Sequence, residues 1–475
     1  MTLHPQGPML TTTSTTVELE IDFVEIQNRR VSHHVYVSRK FSKENPQVIE
    51  QYRLSMQSAS EEEFNLREKE YFSSMLNPLA RKKSGDDPIF RWFSRYLKAK
   101  ENGRDAVNGT LGSLINDSGE LALNATVIDS LRKQVGHDMA GYSPLRGMPA
   151  FRELVIDLAL GQYRPHIPAV VSSIATPGGC GALYASACNF ADPGDRVLLR
   201  DKHWGPYKTI LSENSLNVHS YPLWDSNLEL RASLSELALT QKRILGWLND
   251  PAHNPTGLSL STEERKNTLN CWLDSAQDNP DIGHTLLIDA AYHLYADEPH
   301  GWAETISKID NWPHNLLIMF AISCSKSHTI YGMRTGALVY LHPNSEVHVK
   351  LEEVLLHTGR GTWSGAPRLP QVALIDVHQN QLNEWEDEKN QLKGILTSRR
   401  RAFNEAAESN SIEVMPNDNG YFAFIECNNP EEVCESCAED DVYLVPLIGG
   451  IRVGICAIPA SDMPRVASTL AKALR

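Results

Sequence analysis

At 475 residues the chain is too long for one ordinary core, and its length calls for two or three domains. A hydrophobic share of 41% and a charged share of 22% are those of a soluble globular protein. The formal net charge of -14 repels phosphate backbones and argues against nucleic acid as a partner. No apolar run approaches the roughly 20 residues that span a bilayer, so no membrane partner is expected. No basic start followed by an apolar stretch marks a secretory leader. Eight cysteines are scattered along the chain, and Cys434 and Cys437 form a single CxxC without the second pair of a zinc ribbon. Free thiols in the cytoplasm are the expectation.

In chain order, residues 1–16 are rich in Ser and Thr. VELEIDFVEI (17–26) alternates apolar and acidic residues, and with 31–37 it suggests a hairpin. Residues 46–100 read as helical, for example EEEFNLREKEYFSSML and PIFRWFSRYLKAK. From about 145 to 340, helical stretches alternate with short apolar strands: RVLLR (196–200), RILGWL (243–248), TLLIDA (285–290), LLIMFAI (316–322) and GALVYL (336–341). Strands buried on both faces have this composition, and alternation with helices implies a parallel sheet. A long polar helical run then precedes YFAFIEC, VYLVPLI and IRVGICAI, which reads as a smaller α/β unit.

Four clusters carry chemistry. TPGGCGAL (176–183) lets backbone approach a ligand closely ahead of a helix, whose free N–H groups suit phosphate. It is not the dinucleotide fingerprint, since Tyr184 takes the third glycine position. Lys326 follows a buried strand in SCSK and is bracketed by Ser323 and Ser325, with Arg334 eight residues on. An imine-forming lysine needs a desolvated site, and a phosphate needs a guanidinium and hydroxyls. Asp289 ends TLLIDA, at the strand end where open α/β sheets bind ligands, and Tyr292 follows it. Asn254 lies in NPTG after another strand, where a plain turn is the alternative reading.

Together, in this order and spacing, these motifs resemble the class I/II aminotransferases, fold type I enzymes that use pyridoxal 5'-phosphate. The resemblance runs from about residue 105 to the C-terminus. It implies an α/β fold, the three-layer PLP-dependent transferase fold, with a mixed, mostly parallel sheet. The large cofactor-binding domain would span 145–365. The small domain would combine 101–144 with 366–475, and 1–100 would form a partly helical N-terminal extension.

The resemblance also implies roles. Lys326 would carry the cofactor as a Schiff base and act as the base, Asp289 would pair with the ring nitrogen, and Asn254 and Tyr292 would bond the ring's phenolic oxygen. Trp204, in HWGPY, would stack on the ring. Gly179, Cys180, Ser323, Ser325 and Arg334 would hold the phosphate, and Tyr142 would reach the phosphate of a neighbouring subunit in a homodimer with shared sites. Arg452 would clamp the substrate carboxylate, and Gly112 would lie near the substrate. Arg360 occupies the position of a distal-carboxylate arginine, with a surface or interface arginine as the alternative. Cys180 departs from the family, where many members carry a hydroxyl residue.

The activity implied is transfer of an amino group from an L-amino acid to a 2-oxo acid. The same scaffold hosts lyases, cyclopropane-forming synthases, decarboxylases and oxidases. A transcription regulator with a sensing domain of this kind would need a helix-turn-helix ahead of it, and the first hundred residues show no clear recognition helix.

Overall fold

The computed structural model describes residues 75–475 apart from 79, 84, 86, 225 and 226. The hairpin expected at 17–37 and the 46–74 part of the helical run expected at 46–100 lie outside the described residues. The chain divides into two compact units, Met1–Gly85 and Asp86–Arg475. Of the first unit, the described part contains one short 3-10 turn, Ala80–Lys82.

Twelve strands occur among the described residues of the second unit. They are β1 (Val107–Asn108), β2 (Val170–Thr176), β3 (Arg196–Arg200), β4 (Asn217–Tyr221), β5 (Arg243–Asn249) and β6 (Gly283–Asp289). β7 (Leu316–Ser323), β8 (Gly336–His342), β9 (Ala423–Glu426), β10 (Val442–Tyr443), β11 (Val445–Leu447) and β12 (Gly450–Val453) follow. Seven of them form one sheet in the order β2-β8-β7-β6-β5-β3-β4. β8 alone runs against its neighbours, pairing antiparallel with β2 and β7, so the sheet is mixed and mostly parallel.

Period-two alternation sends side chains of each central strand to opposite faces. Ile318, Phe320 and Ile322 of β7 join one buried cluster with Ile244, Leu286 and Val339. Leu317, Met319 and Ala321 join the other with Leu245, Leu287 and Leu338. Both faces are covered by helices, which is why these strands are near-continuous apolar runs. The covering helices are locally specified too. Ser261 and Glu264 form a reciprocal capping box at the start of Thr262–Asp278.

A separate core gathers around β9 and β12, which pair antiparallel, with β11 pairing antiparallel on the other side of β12. Its buried residues come from both ends of the unit: Trp92 and Val107 at one end, and Phe403, Val442, Ile451, Val466 and Leu470 at the other. β1 pairs in parallel with β10. The helix Pro88–Glu101 is started by Asp87, whose side chain accepts from Ile89 and Phe90 N–H. No helix among the described residues is long and apolar enough to cross a membrane.

Candidate active site

Strand register brings the chemistry-bearing segments to one edge of the large sheet. Asn249 ending β5 lies beside Asp289 ending β6, and Asp289 beside Ala321 of β7. Ser323 ending β7 lies beside Gly336 of β8, which lies beside Thr176 ending β2. The turns after these strand ends therefore converge at the carboxyl end of the parallel strands.

β7 runs directly into the short helix Cys324–Ser327, which carries Lys326. The amine donates to the carbonyl oxygen of Gly112. It stands over the rings of Tyr331, Tyr292 and Tyr421 at 4.8, 5.4 and 5.5 Å. The residue keeps some exposed surface, but its amine is enclosed. Desolvation lowers the amine's pKa to about 8, and Arg452 and Arg334 push the same way.

Asp289 is 6% exposed. The Tyr207 hydroxyl donates to its Oδ2 at 2.6 Å and the Ala291 N–H to its Oδ1 at 3.1 Å. Burial raises this carboxyl to about 6 against the opposing pull of both bonds. Tyr207 stands edge-on to Trp204 and Trp247, with ring centres 5.7 and 5.1 Å away.

Between these groups lie Asn254 and Tyr292, whose Nδ2 and hydroxyl are 3.4 Å apart. Burial holds the Tyr292 phenol above its ordinary range. Arg452 is buried; its Nη1 donates to Asn254 Oδ1 at 3.4 Å and its Nη2 to the Thr110 carbonyl at 2.7 Å. Its Nε is buried with no hydrogen-bond partner, and the guanidinium lies 4.4 Å over the Phe422 ring.

The glycine-rich turn opens the helix Gly178–Phe190. Gly178 has φ 71°, and a Cβ there would lie 2.8 Å from Arg334 Nη2, so both the backbone and the space require glycine. A Cβ on Gly179 would stop 3.4 Å from the Ser323 side chain. Arg334 is itself left-handed, with φ 50°. Its Nη1 donates to Ser325 Oγ at 3.3 Å and to the Tyr331 carbonyl at 2.9 Å, and its Nη2 reaches Cys180 Sγ at 3.8 Å. Burial pushes the Cys180 thiol up, with Arg334 opposing.

Among the described residues, the hydrogen bonds of Asp289, Arg334, Arg452 and Lys326 go to neutral groups, and none of the four forms an ion pair. Leaving one carboxylate and several cations uncompensated is costly unless a ligand supplies the opposite charges. The set fits a molecule with a cationic ring nitrogen near Asp289, an anionic phosphate near Arg334, and a carboxylate partner near Arg452.

Comparison with known proteins agrees. The family model described as aminotransferase class I and II matches residues 113–470. The chain belongs to that family. It is a pyridoxal phosphate-dependent transaminase of fold type I. It is similar to the mitochondrial aspartate aminotransferase of Dictyostelium discoideum, at 26% identity over 84% of this chain and 94% of the relative. The crystal structure of an aminotransferase from Anaerococcus prevotii superposes with a TM-score of 0.79 at 30% identity, covering 84% of this chain and 99% of that one. An aromatic-amino-acid aminotransferase from Burkholderia pseudomallei, solved covalently bound to pyridoxal phosphate, shares the fold with a TM-score of 0.68 at 20% identity. That match covers 84% of this chain and the whole of the other.

Of the residues singled out in the aminotransferase sequence, two stand apart from this cluster. Tyr142 is 94% exposed. Arg360 is exposed at the end of the helix Ser345–Thr362 and donates to Ser364 Oγ at 2.6 Å. Several residues were not anticipated. Tyr207 and Tyr331 follow named motif residues by three and five positions, and that spacing was a usable signal. Tyr421, Phe422 and Thr110 enter from distant segments, with no local pattern to mark them.

Proposed function

We propose that this pocket transfers the amino group of an L-amino acid to a 2-oxo acid, with Lys326 as the residue that bonds the cofactor and moves the proton. The supporting observation is the set of four charged side chains that lack counter-charges at one sheet edge. Bound there, pyridoxal phosphate supplies an electron sink that acidifies the substrate Cα–H.

The chain's own residues do the rest. Asp289 keeps the ring nitrogen protonated, and Tyr207 orients its carboxylate. Asn254 and Tyr292 bond the ring's phenolic oxygen, and Trp204 covers a ring face. Gly179, Cys180, Ser323, Ser325 and Arg334 hold the phosphate, where Cys180 contributes its backbone N–H. Arg452 grips the substrate α-carboxylate, and its preference for two-pronged bonding fixes the Cα–H relative to Lys326. The lowered basicity of Lys326 leaves part of it unprotonated near neutral pH. As a free amine it would accept the proton from the substrate Cα and carry it, and the Gly112 carbonyl would steady it there.

The working form in this reading is a homodimer with shared sites, in a reducing compartment such as the cytoplasm. Tyr142 is exposed, as are Val135, Met139 and Leu145 near it in the chain, and these side chains would be available to a second copy. Tyr142 would serve the partner's phosphate, and Arg360 the partner's substrate side chain. Residues 145–365 act as the cofactor-holding domain, and 101–144 with 366–475 as the smaller domain that closes over substrate.

The test is amino transfer from L-aspartate, L-glutamate, L-phenylalanine and L-tyrosine, with and without 2-oxoglutarate. Turnover strictly dependent on the oxo acid is expected. Release of ammonia, carbon dioxide or peroxide without an acceptor would instead assign elimination, decarboxylation or oxidation.

A further inference from the structure

The Gly112 carbonyl that faces Lys326 is held in place by a hairpin, and the hairpin is held by an arginine that the reaction itself does not use. Residues 112–122 fold back on themselves, with Ile115 bridging Leu121. The tip is a tight turn in which Asn116 Oδ1 accepts from the N–H groups of Ser118 and Glu120 at 3.1 and 2.9 Å. The base is tied at two points. The Leu114 N–H donates to the Tyr331 hydroxyl at 3.0 Å, and the Ile115 N–H to the Cys456 carbonyl at 2.9 Å.

Arg399 projects from the helix Leu382–Ser409, with its side chain 2% exposed. Its Nη1 donates to that same Cys456 carbonyl at 2.8 Å, and its Nη2 to Asp117 Oδ1 at 2.6 Å. Cys456 lies in the turn after β12, the strand that carries Arg452. One guanidinium therefore joins the tip of the hairpin to the segment behind Arg452. The other side of the hairpin meets the lysine turn. The Tyr331 and Tyr421 hydroxyls are 3.2 Å apart, and the Tyr295 hydroxyl donates to the Lys326 carbonyl at 3.2 Å.

We propose that Arg399 and Asp117 are positioning residues that fix the hairpin 112–122, and with it the Gly112 carbonyl, relative to both Lys326 and Arg452. The proposal rests on the reading of Lys326 and Arg452 given above. Its consequence is selective. The pair sets how well the amino acid is held between Arg452 and Lys326, and leaves the cofactor's own contacts alone. Asp117 is 77% exposed, so the ion pair adds little to global stability. Loss of the carboxylate frees the hairpin tip while Arg399 keeps its bond to Cys456. A misplacement of about 1 Å at a reacting group can cost roughly a hundredfold in rate, so loosening the hairpin is visible in kinetics before it is visible in folding.

The experiment compares the holoenzyme with Asp117→Ala and Asp117→Asn. Asp117→Ala is expected to raise KM for the amino donor roughly tenfold, with a larger loss in kcat/KM. Its visible cofactor band and Tm should stay close to those of the parent. Asp117→Asn keeps an acceptor for Arg399 and is expected to recover most of the KM. An unchanged KM in Asp117→Ala, or equal losses in the two variants, would overturn the proposal. Failure of the underlying reading looks different: the parent protein itself would then lack the cofactor band, whatever the state of Asp117.

Discussion

The bond between Tyr207 and Asp289 shows how one residue tunes the ring-nitrogen end of the pocket. Burial alone pushes a carboxyl upward, and the 2.6 Å hydrogen bond from Tyr207 opposes that push, leaving Asp289 at about 6. A neutral carboxylic acid cannot hold a ring nitrogen protonated; a protonated ring nitrogen beside Asp289 would draw this carboxyl down, and activity would be lost only where the pH is low enough to neutralise it. Tyr207→Phe removes the opposing bond and leaves burial to dominate. The acid limb of the kcat/KM profile is expected to move up by about one pH unit, because Asp289 then takes its proton at higher pH. A profile unchanged from the parent would show that Tyr207 does not bear on the carboxylate. Part of this chemistry was legible in the sequence. Lys326, Ser325 and Arg334 sit within nine positions of one another, and a strand end followed by hydroxyls and an arginine is a local pattern. Tyr207 donates across 82 positions to Asp289, a pairing that only the fold creates.

At the scale of elements, the strands of the large sheet that could be read were the interior ones. β3, β5, β6, β7 and β8 are covered on both faces, so both residue parities are apolar and the run stands out. The two that escaped, β2 and β4, are the edge strands of the sheet. VVSSIAT and NVHSY carry polar residues because an edge is partly exposed, and their apolar signal falls below that of a helix segment. The helix Pro88–Glu101 was legible as a helix, but its partners were not. Trp92 is 0% exposed and packs with residues such as Phe403 and Val442, more than 300 positions away. The ion pairs Arg91–Glu431 and Arg95–Glu435 on the same helix are 39–52% exposed and contribute about 1 kcal/mol or less each. The anchor is therefore the indole. Trp92→Ala is expected to cost about 3–5 kcal/mol, read as a lowered midpoint in denaturant. A loss below 1 kcal/mol would show that the helix is held by its surface charges instead.

For the molecule as described, the large sheet and the second core together account for function. The large sheet delivers Asp289, Asn254, Lys326 and the phosphate turn from its strand ends. The second core delivers Arg452 from β12, and the hairpin 112–122 brings Gly112 against the lysine. The central claim is that the amine of Lys326 bonds the cofactor between Asp289 and Arg334. Its most direct test is the visible spectrum of the purified protein and of Lys326→Ala, each supplied with pyridoxal phosphate. The parent is expected to show the band of a lysine-linked cofactor, which amino donors discharge and 2-oxo acids restore, and Lys326→Ala is expected to lack it. A band that persists in Lys326→Ala and still discharges with amino donors would contradict the account.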